Sequence, residues 1–368
     1  GTARRAFLED LVLGAGEGLL RFAAGALAFA AAFYTGAKIA VIGQPTRPPL
    51  AGEYQVVGSE VRRIAGLRCR VLYPAAGRAG DGREEAPYLT EGVGTSDRMA
   101  GLVFFPGFLL EHLGAASSGC VRDAAPLLPA GGAPPYPVLV YSHGQGGNMD
   151  MGTYFLREVA SFGVVVVSVE HQDGSASTAD PENPRPFSLT KGQLGTRARA
   201  QEACRVAEAL RAPGGEHSAA AWGGDAAGLL VGGHSYGGPT ALVAAAARPD
   251  LFRGLVLHDP ATTDSPRPAQ PVFSVVGDQY ANIEPLAREV RRVSTGQVLH
   301  AALQERPGLA WSGAWRYTGI SHGNFVDAPL WAPLIIMRAL GLLLIPAAGP
   351  ADPAEAHARL AAAAAAFA

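Results

Sequence analysis

The sequence predicts an α/β protein with a mostly parallel central sheet and helices on both of its faces. Three features of the 368-residue chain support this prediction. Apolar, strand-like runs alternate with helix-like segments from residue 137 to residue 325; glycine-rich turns end several of the runs; and polar side chains follow the runs directly. Strands that are separated by helices pair in parallel, so the polar residues at their ends are expected along one edge of the sheet.

The predicted elements follow one another in a regular order. A strand that ends at a proline is predicted over 68–75. The later strands begin at apolar runs and lie in the segments 137–147, 164–177, 228–238, 251–260, 271–280 and 314–325. Helices are predicted where good helix formers and apolar residues recur at helical spacing, in the segments 148–163, 196–212 and 283–293.

Composition narrows the class of protein. The chain has 48% hydrophobic and 17% charged residues, which fits a globular or membrane-associated protein and argues against a disordered one. A net charge of -2 gives no electrostatic basis for nucleic acid as a partner. The three cysteines lie far apart, without the spacing of a metal site or a disulfide framework. We therefore expect neither a metal nor an organic cofactor.

Changes in composition along the chain predict three parts. A hydrophobic N-terminal segment and a proline-rich linker are expected over 1–50, the α/β domain over 51–346, and an alanine-rich C-terminal tail over 347–368. Length alone leaves the oligomeric state open.

The N-terminal segment 19–43 is apolar but short of a membrane span. Its uncharged run between Arg21 and Lys38 has 16 residues, whereas a spanning helix needs about 20. We expect a helix that lies on a membrane or packs on the domain, with a true span as the alternative. An intracellular protein in peripheral contact with a membrane is the preferred location; a secreted or organellar one is the alternative.

The segment "GHSYG" (233–237) follows an apolar run and precedes a small-residue helix. A Gly-x-Ser-x-Gly turn in this setting is typical of the nucleophile elbow of the α/β-hydrolase fold, in which glycines let the chain turn tightly and present the serine hydroxyl. The pattern predicts Ser235 as a nucleophile, and a simple glycine-rich bend is the alternative.

A serine nucleophile needs a base within hydrogen-bonding reach and an acid that orients the base. In α/β-hydrolases these residues follow one another as Ser, Asp or Glu, and His. Ser235, Asp259 and His322 have this order, and each follows a predicted strand. Asp278 also follows a strand and is the competing candidate for the acid.

The tetrahedral intermediate of acyl transfer needs hydrogen-bond donors for its oxyanion. The backbone amide of Tyr236, directly after the nucleophile, is one predicted donor. The loop "SHGQGG" (142–147) is expected to supply the second donor through the amide of Gln145, unless its glycines only end a strand. His143, His234, His171 and Asp173 are interpreted as hydrogen-bonded structural groups near the site.

Five motifs together resemble the platelet-activating-factor acetylhydrolases, the group VII phospholipases A2. They are "YSHGQGGN" (141–148), "VEHQDGSAS" (169–177), "GHSYGGPT" (233–240), "GLVLHDP" (254–260) and "GISHGNFVD" (319–327). The block 170–177 is the most specific of them, because a general esterase has no reason to carry it.

The resemblance implies a calcium-independent serine esterase or lipase that hydrolyses short or oxidised sn-2 acyl esters of phospholipids. It implies that Ser235 is the nucleophile, His322 the base and Asp259 the acid, since the 24-residue separation of Ser235 and Asp259 suits the family. It also implies an oxyanion hole made by the amides of Gln145 and Tyr236.

Two departures from the family's pattern bear on the substrate. Family members usually carry a bulky apolar residue at the position of Gln145 and phenylalanine at the position of Tyr236. Both departures keep a backbone amide but place polar side chains near the acyl group. A broad carboxylesterase acting on soluble esters, and a non-catalytic lipid-binding protein of the same fold, are the alternatives. A phospholipid or other lipid ester, met at a membrane surface, is the expected partner.

Overall fold

Ten strands form one sheet within the residues that the structure describes. The computed structural model describes residues 21–34, 36, 46–78, 80, 82–102, 106–182, 195–261, 266, 268–278, 313–332 and 348–368. The strands are β1 (Val57–Ile64), β2 (Leu67–Pro74), β3 (Glu85–Pro87), β4 (Ser117–Arg122), β5 (Tyr136–Ser142), β6 (Val165–Val169), β7 (Gly224–His234), β8 (Phe252–His258), β9 (Val272–Gly277) and β10 (Gly313–Tyr317). They lie in the order β10-β9-β8-β7-β5-β6-β2-β1-β4-β3.

The six strands from β5 to β10 are parallel to one another, as the alternating pattern predicts. Helices cover both faces of the sheet. Among the described residues after residue 45, the α-helices are α1 (Gly92–Leu102), α2 (Thr153–Ser161), α3 (Thr196–Arg211), α4 (Gly237–Ala247), α5 (Ala328–Trp331) and α6 (Pro353–Phe367). Apolar side chains of α3 and α4 share one core with the sheet, and those of α2 and α6 share a second core. The predicted fold class is therefore confirmed.

The other side of the sheet is mixed, and most of it was not predicted. Only β2 matches a predicted strand; it pairs antiparallel with β6 and with β1. β4 lies parallel to β1 and antiparallel to β3. These strands carry charged residues in place of long apolar runs. Even in β2, Arg70 is buried against Asp150, with 2.9 Å between Nε and Oδ1, so a charged residue on this side of the sheet does not mark an exposed position.

The boundaries of the parts differ from those expected. The chain divides into two compact units, Gly1–Gly43 and Gln44–Ala368. The expected tail over 347–368 is instead largely helix α6, whose buried face belongs to the core. Asp352 begins this helix by accepting a hydrogen bond of 2.8 Å from the amide of Glu355. Alanine-rich composition suggested a tail, but small apolar residues at helical spacing also allow a helix to approach a sheet closely.

Residues 21–34 of the first unit form a helix whose side chains are all exposed. In the part of the chain that the structure describes, no helix is long and apolar enough to cross a membrane. The predicted helix over 283–293 lies outside the described residues.

Candidate active site

Ser235 stands at the turn between β7 and α4, where the sequence predicts a nucleophile elbow. Its φ is +55°, in the left-handed region that costs energy for a residue with a side chain. A Cβ on Gly233 or on Gly237 would lie 2.5 Å or 2.0 Å from the carbonyl oxygen of Ser142. Only glycine fits at these two positions, and the turn holds the half-buried serine at the carboxyl end of β7.

Asp259 and His322 are in direct contact beside this turn. The distance between Oδ2 of Asp259 and Nδ1 of His322 is 2.6 Å. The other carboxylate oxygen of Asp259 accepts a hydrogen bond of 3.0 Å from the amide of Gly277. Asp259 is completely buried and the His322 side chain is 11% exposed. With Nδ1–H donating to the carboxylate, Nε2 of His322 is left as the basic nitrogen.

The segment after β8 is tied to the serine turn through the backbone. The amide of Ser235 donates to the carbonyl of His258 over 3.1 Å, and the amide of Ala261 donates to the carbonyl of Ser235 over 2.9 Å. Asp259 lies between these two bonds with a φ of +44°. The structure thus brings Asp259 and His322 to the edge that holds Ser235.

Asp278, the competing acid, has different partners. Its Oδ1 accepts a bond of 2.7 Å from Nε of Arg316, and its Oδ2 accepts one of 2.5 Å from the amide of Gly319. Burial raises the pKa of Asp278, but these two donors together hold that pKa below its ordinary value. Asp278 fastens the turn that follows β10.

His234 supports the loop that carries His322. Burial, together with the nearby rings of His322 and His258, holds the pKa of His234 well below its ordinary value. The ring is therefore neutral, and its Nε2–H donates to the carbonyl of His322 over 3.1 Å. The two ring centroids are 4.5 Å apart. His234 is placed where it fixes the position of the predicted base.

Asp327 ties the same loop to helix α2. Its two carboxylate oxygens accept hydrogen bonds from the amides of Tyr154 (2.9 Å) and Phe155 (3.2 Å) in the first turn of that helix. Its own amide donates to the carbonyl of Met151 over 3.1 Å. Because α2 begins shortly after the loop 142–147, Asp327 connects the His322 loop to the segment that holds Gln145.

The loop 142–147 packs directly against the serine. A Cβ on Gly144 would lie 3.1 Å from the Cβ of Ser235. The amide of Gly146 donates to the carbonyl of Ser175 over 2.8 Å, and the amide of Ser177 donates to the carbonyl of Gly147 over 2.9 Å. The block 170–177, the most specific motif of the sequence, therefore braces the loop that contains Gln145.

His171 belongs to this bracing. Its Nδ1 lies 2.7 Å from Oε2 of Glu202, and its Nε2 lies 3.0 Å from the hydroxyl of Ser142. Burial, and after it the charge of Arg199, hold the pKa of His171 well below its ordinary value. A neutral ring with Nδ1–H donates to Glu202 and accepts from Ser142.

For three residues near the site the sequence patterns predict no role: Arg199, Glu202 and Asp327. Arg199 and Glu202 are buried on α3, three residues apart on the face that carries Ala200, Ala203 and Val206 into the core. A charged pair on an otherwise apolar helix face was the available signal. Asp327 ends the motif 319–327, but nothing in that motif shows that its partners come from α2.

No group of three or more His, Cys, Asp or Glu side chains in the described residues is arranged to hold a metal ion. Cys69, Cys120 and Cys204 are buried and form no disulfide.

The mostly parallel sheet, the turn at Ser235 and the neighbouring Asp259–His322 pair define an α/β-hydrolase fold. Among solved structures, the chain is similar to the ferulic acid esterase from Streptomyces cinnamoneus, with 22% sequence identity and a TM-score of 0.59, over 88% of this chain and 90% of that one. No curated protein sequence matches the chain.

Residues 39–191 match the family model described as platelet-activating factor acetylhydrolase, isoform II. Over these residues the match confirms the resemblance to the platelet-activating-factor acetylhydrolase family that the motifs predict, and it indicates a hydrolase of the esterase class. The matched segment contains the loop 142–147 and the block 170–177, and it ends before Ser235.

Proposed function

We propose that this esterase hydrolyses short or oxidised sn-2 acyl esters of phospholipids with Ser235 as nucleophile, His322 as base and Asp259 as the residue that orients His322. The observation that carries the assignment is the 2.6 Å contact between Nδ1 of His322 and Oδ2 of Asp259. This contact lies at the edge of the sheet that holds Ser235: the ring of His234 bonds to the carbonyl of His322, and the carbonyl of His258, next to Asp259, accepts from the amide of Ser235.

The reaction follows from the chemistry of these three groups. Nε2 of His322 takes the proton of Ser235 as Oγ attacks the ester carbonyl, and the imidazolium that forms is stabilised by Asp259. The proton then passes to the leaving alcohol as the tetrahedral intermediate collapses to an acyl-enzyme. Water, deprotonated by His322, attacks the acyl-enzyme and releases the carboxylic acid and free Ser235.

The oxyanion of the intermediate is held by the backbone amides of Gln145 and Tyr236. Tyr236 lies at the N-terminus of α4, where the helix dipole favours negative charge. Two amide donors perform the charge stabilisation that a Lewis acid gives elsewhere. We therefore expect activity without calcium.

The choice of a phospholipid substrate rests on the family, and two observations favour a second candidate, a broad carboxylesterase. The solved structure described above is itself an esterase of ferulic acid. In addition, the family's pattern has phenylalanine at the position of Tyr236. The Tyr236 hydroxyl lies 2.8 Å from the hydroxyl of Thr196 and adds polarity beside the site.

Activity on two substrates tests the proposal. The purified protein is assayed with a chromogenic acetate and with a short-chain phosphatidylcholine, each with and without a chelator. Ser235→Ala should abolish both activities in a folded protein, whereas the control Ser118→Ala removes a buried hydroxyl that donates to Ala86 and should retain them. Hydrolysis of the acetate alone would support the carboxylesterase, and turnover by Ser235→Ala would exclude the serine mechanism.

We also propose that the N-terminal segment 19–43 makes peripheral contact with a membrane. The described helix over 21–34 exposes Phe22, Phe29 and Phe33, and a helix buries such side chains at the headgroup boundary with a strength that grows with the apolar area.

Phe29→Ser/Phe33→Ser should weaken sedimentation with phosphatidylcholine vesicles and activity on aggregated phospholipid, and should spare activity on the soluble acetate. Phe108→Ser, which changes an exposed phenylalanine of the second unit, is the matched control. Unchanged sedimentation of the double variant would exclude this contact.

A further inference from the structure

A buried cation lies next to both segments that are proposed to form the oxyanion hole. Arg199 of α3 is completely buried. Its Nη2 donates a short hydrogen bond to the carbonyl oxygen of His143. Its guanidinium carbon lies 4.8 Å from the centroid of the Tyr236 ring. Arg199 therefore contacts His143, within the loop 142–147 that carries Gln145, and Tyr236, which supplies the other proposed amide.

The charge of Arg199 is not matched by an adjacent carboxylate. Within the described residues no carboxylate oxygen lies within ion-pair distance of the guanidinium, and its Nε and Nη1 have no hydrogen-bond partner. Burial lowers the pKa of Arg199 to about 10, while Asp173, Tyr236 and Glu202 act in the opposite direction. The side chain is therefore protonated at neutral pH.

The two histidines beside Arg199 are neutral. Burial, followed by the charge of Arg199 and the neighbouring ring of His171, holds the pKa of His143 well below its ordinary value. Its hydrogen bonds indicate the same state: Nδ1 lies 2.8 Å from the carbonyl of Gly144, and Nε2 accepts from the amide of His171 over 3.3 Å. The positive charge of this cluster is thus concentrated on Arg199.

The position of Arg199 relates this charge to the reaction. His143 is bonded to Gly144, and Gly144 packs against Ser235. A buried cation costs free energy unless charge of the opposite sign forms near it. The oxyanion of the tetrahedral intermediate is such a charge, and in a water-poor site its attraction to a fixed cation is much stronger than in water.

We propose that Arg199 is a positioning residue of the oxyanion hole. Its Nη2 fixes the carbonyl of His143 and its guanidinium, over the Tyr236 ring, fixes that ring, so that the amides of Gln145 and Tyr236 converge on one point. Its buried charge favours the oxyanion over the neutral ester. This inference rests on the function proposed above, because it requires that Ser235 attacks an ester carbonyl.

The test compares Arg199→Met, Arg199→Lys and the control Arg157→Met in the full chain, with the chromogenic acetate as substrate. Arg157 is also buried and also donates to a carbonyl, that of Pro48. We expect Arg199→Met to lower kcat about 100-fold, the scale of one lost oxyanion donor, with KM changed less than threefold. Arg199→Lys keeps the positive charge but not the planar guanidinium, and its kcat should fall about tenfold. Arg157→Met should retain kcat.

Binding of two ketones separates positioning from a general loss of structure. A short-chain alkyl trifluoromethyl ketone forms a tetrahedral adduct with the serine and places an oxyanion in the hole, whereas the corresponding methyl ketone binds without this charge. The affinity of Arg199→Met for the trifluoromethyl ketone should fall in parallel with kcat, and its affinity for the methyl ketone should not change. Thermal unfolding checks that each variant is folded; if Arg199→Met does not fold, Arg199→Lys decides the question.

The outcomes distinguish this inference from the proposed function. An inactive wild type, or turnover by Ser235→Ala, would overturn both. An active wild type, an inactive Ser235→Ala and a folded Arg199 variant with kcat within threefold of wild type would overturn the role of Arg199 alone. A loss of kcat without a loss of trifluoromethyl ketone affinity would also overturn it.

Discussion

Strands β8 and β9 lie side by side in parallel, and each runs directly into an aspartate. Asp259, after β8, is completely buried and contacts His322. Asp278, after β9, is 23% exposed and pairs with Arg316. Two similar local sequences thus end in different environments. The difference shows that the tertiary partner of a strand-end carboxylate, more than the motif around it, determines what that carboxylate can do.

The backbone after each strand explains the difference. After β8, the positive φ of Asp259 and the bond from Ala261 to Ser235 fold the chain back onto the serine turn. After β9, the amide of Asp278 donates to the carbonyl of Ile320 over 2.9 Å, and its carboxylate accepts from Gly319. Asp259 therefore faces the site, whereas Asp278 holds the turn at Gly319 and Ile320, just before His322.

The largest effect is expected from Asp259→Asn. The amide of asparagine favours the wrong tautomer of His322, so kcat should fall about 10⁴-fold, as such a change does in a Ser-His-Asp mechanism. The variant should stay folded, because asparagine keeps an oxygen that accepts from Gly277. Initial rates with the chromogenic acetate and thermal unfolding measure the two quantities. A loss of less than tenfold would show that Asp259 does not orient the base.

The parallel part of the fold was predictable because each of its strands is a local apolar run. β1, β3 and β4 were not, because their burial depends on distant partners, such as the bond of 2.6 Å from the Tyr73 hydroxyl to Glu60. Alanine-rich α6 was missed for a related reason: composition gives no sign of the surface against which a helix packs.

The residues of the candidate site also fall into two groups, those that local motifs predict and those whose role depends on distant partners. Ser235 and His322 were predicted from local motifs, and Asp259 was preferred to Asp278 from its separation from Ser235, not from any local difference. Arg199 and Glu202 could not be assigned, because their partners His143 and His171 lie 56 and 31 residues away in the chain. Charges on a helix ordinarily face solvent.

For a third aspartate, Asp327, we expect an effect of intermediate size, on the free energy of unfolding and its dependence on pH. Burial raises its pKa to about 7 although two amides donate to it, whereas an unfolded aspartate titrates near 4. Between these values the folded protein retains a proton that the unfolded chain has lost. The contribution of Asp327 to the free energy of unfolding therefore falls as pH rises from about 4 to 7.

Asp327→Asn removes this titration. The free energy of unfolding of wild type minus that of the variant should decrease by about 1–4 kcal/mol between pH 4 and pH 7, as measured by urea denaturation. Loss of one acceptor for the amides of α2 should also cost the variant about 1–3 kcal/mol at all pH values. A difference that grows with pH would mean that the two amide donors outweigh burial and that the pKa of Asp327 is lowered.

The smallest effect is expected from Asp278→Asn, which tests the comparison directly. Asparagine can still accept from Gly319 and loses only the ion pair with Arg316, whose side chain is 52% exposed, a pair worth at most about 1 kcal/mol. Because its pKa is lowered in the folded state, Asp278 stabilises the protein at pH values above the ordinary aspartate range, and this contribution is lost as pH falls through the folded pKa. At neutral pH we expect kcat within about threefold of wild type, measured in the same assay as Asp259→Asn. If Asp278→Asn proves the more damaging of the two, the acid of the site lies at the end of β9, and the contact between Asp259 and His322 serves only to hold the loop.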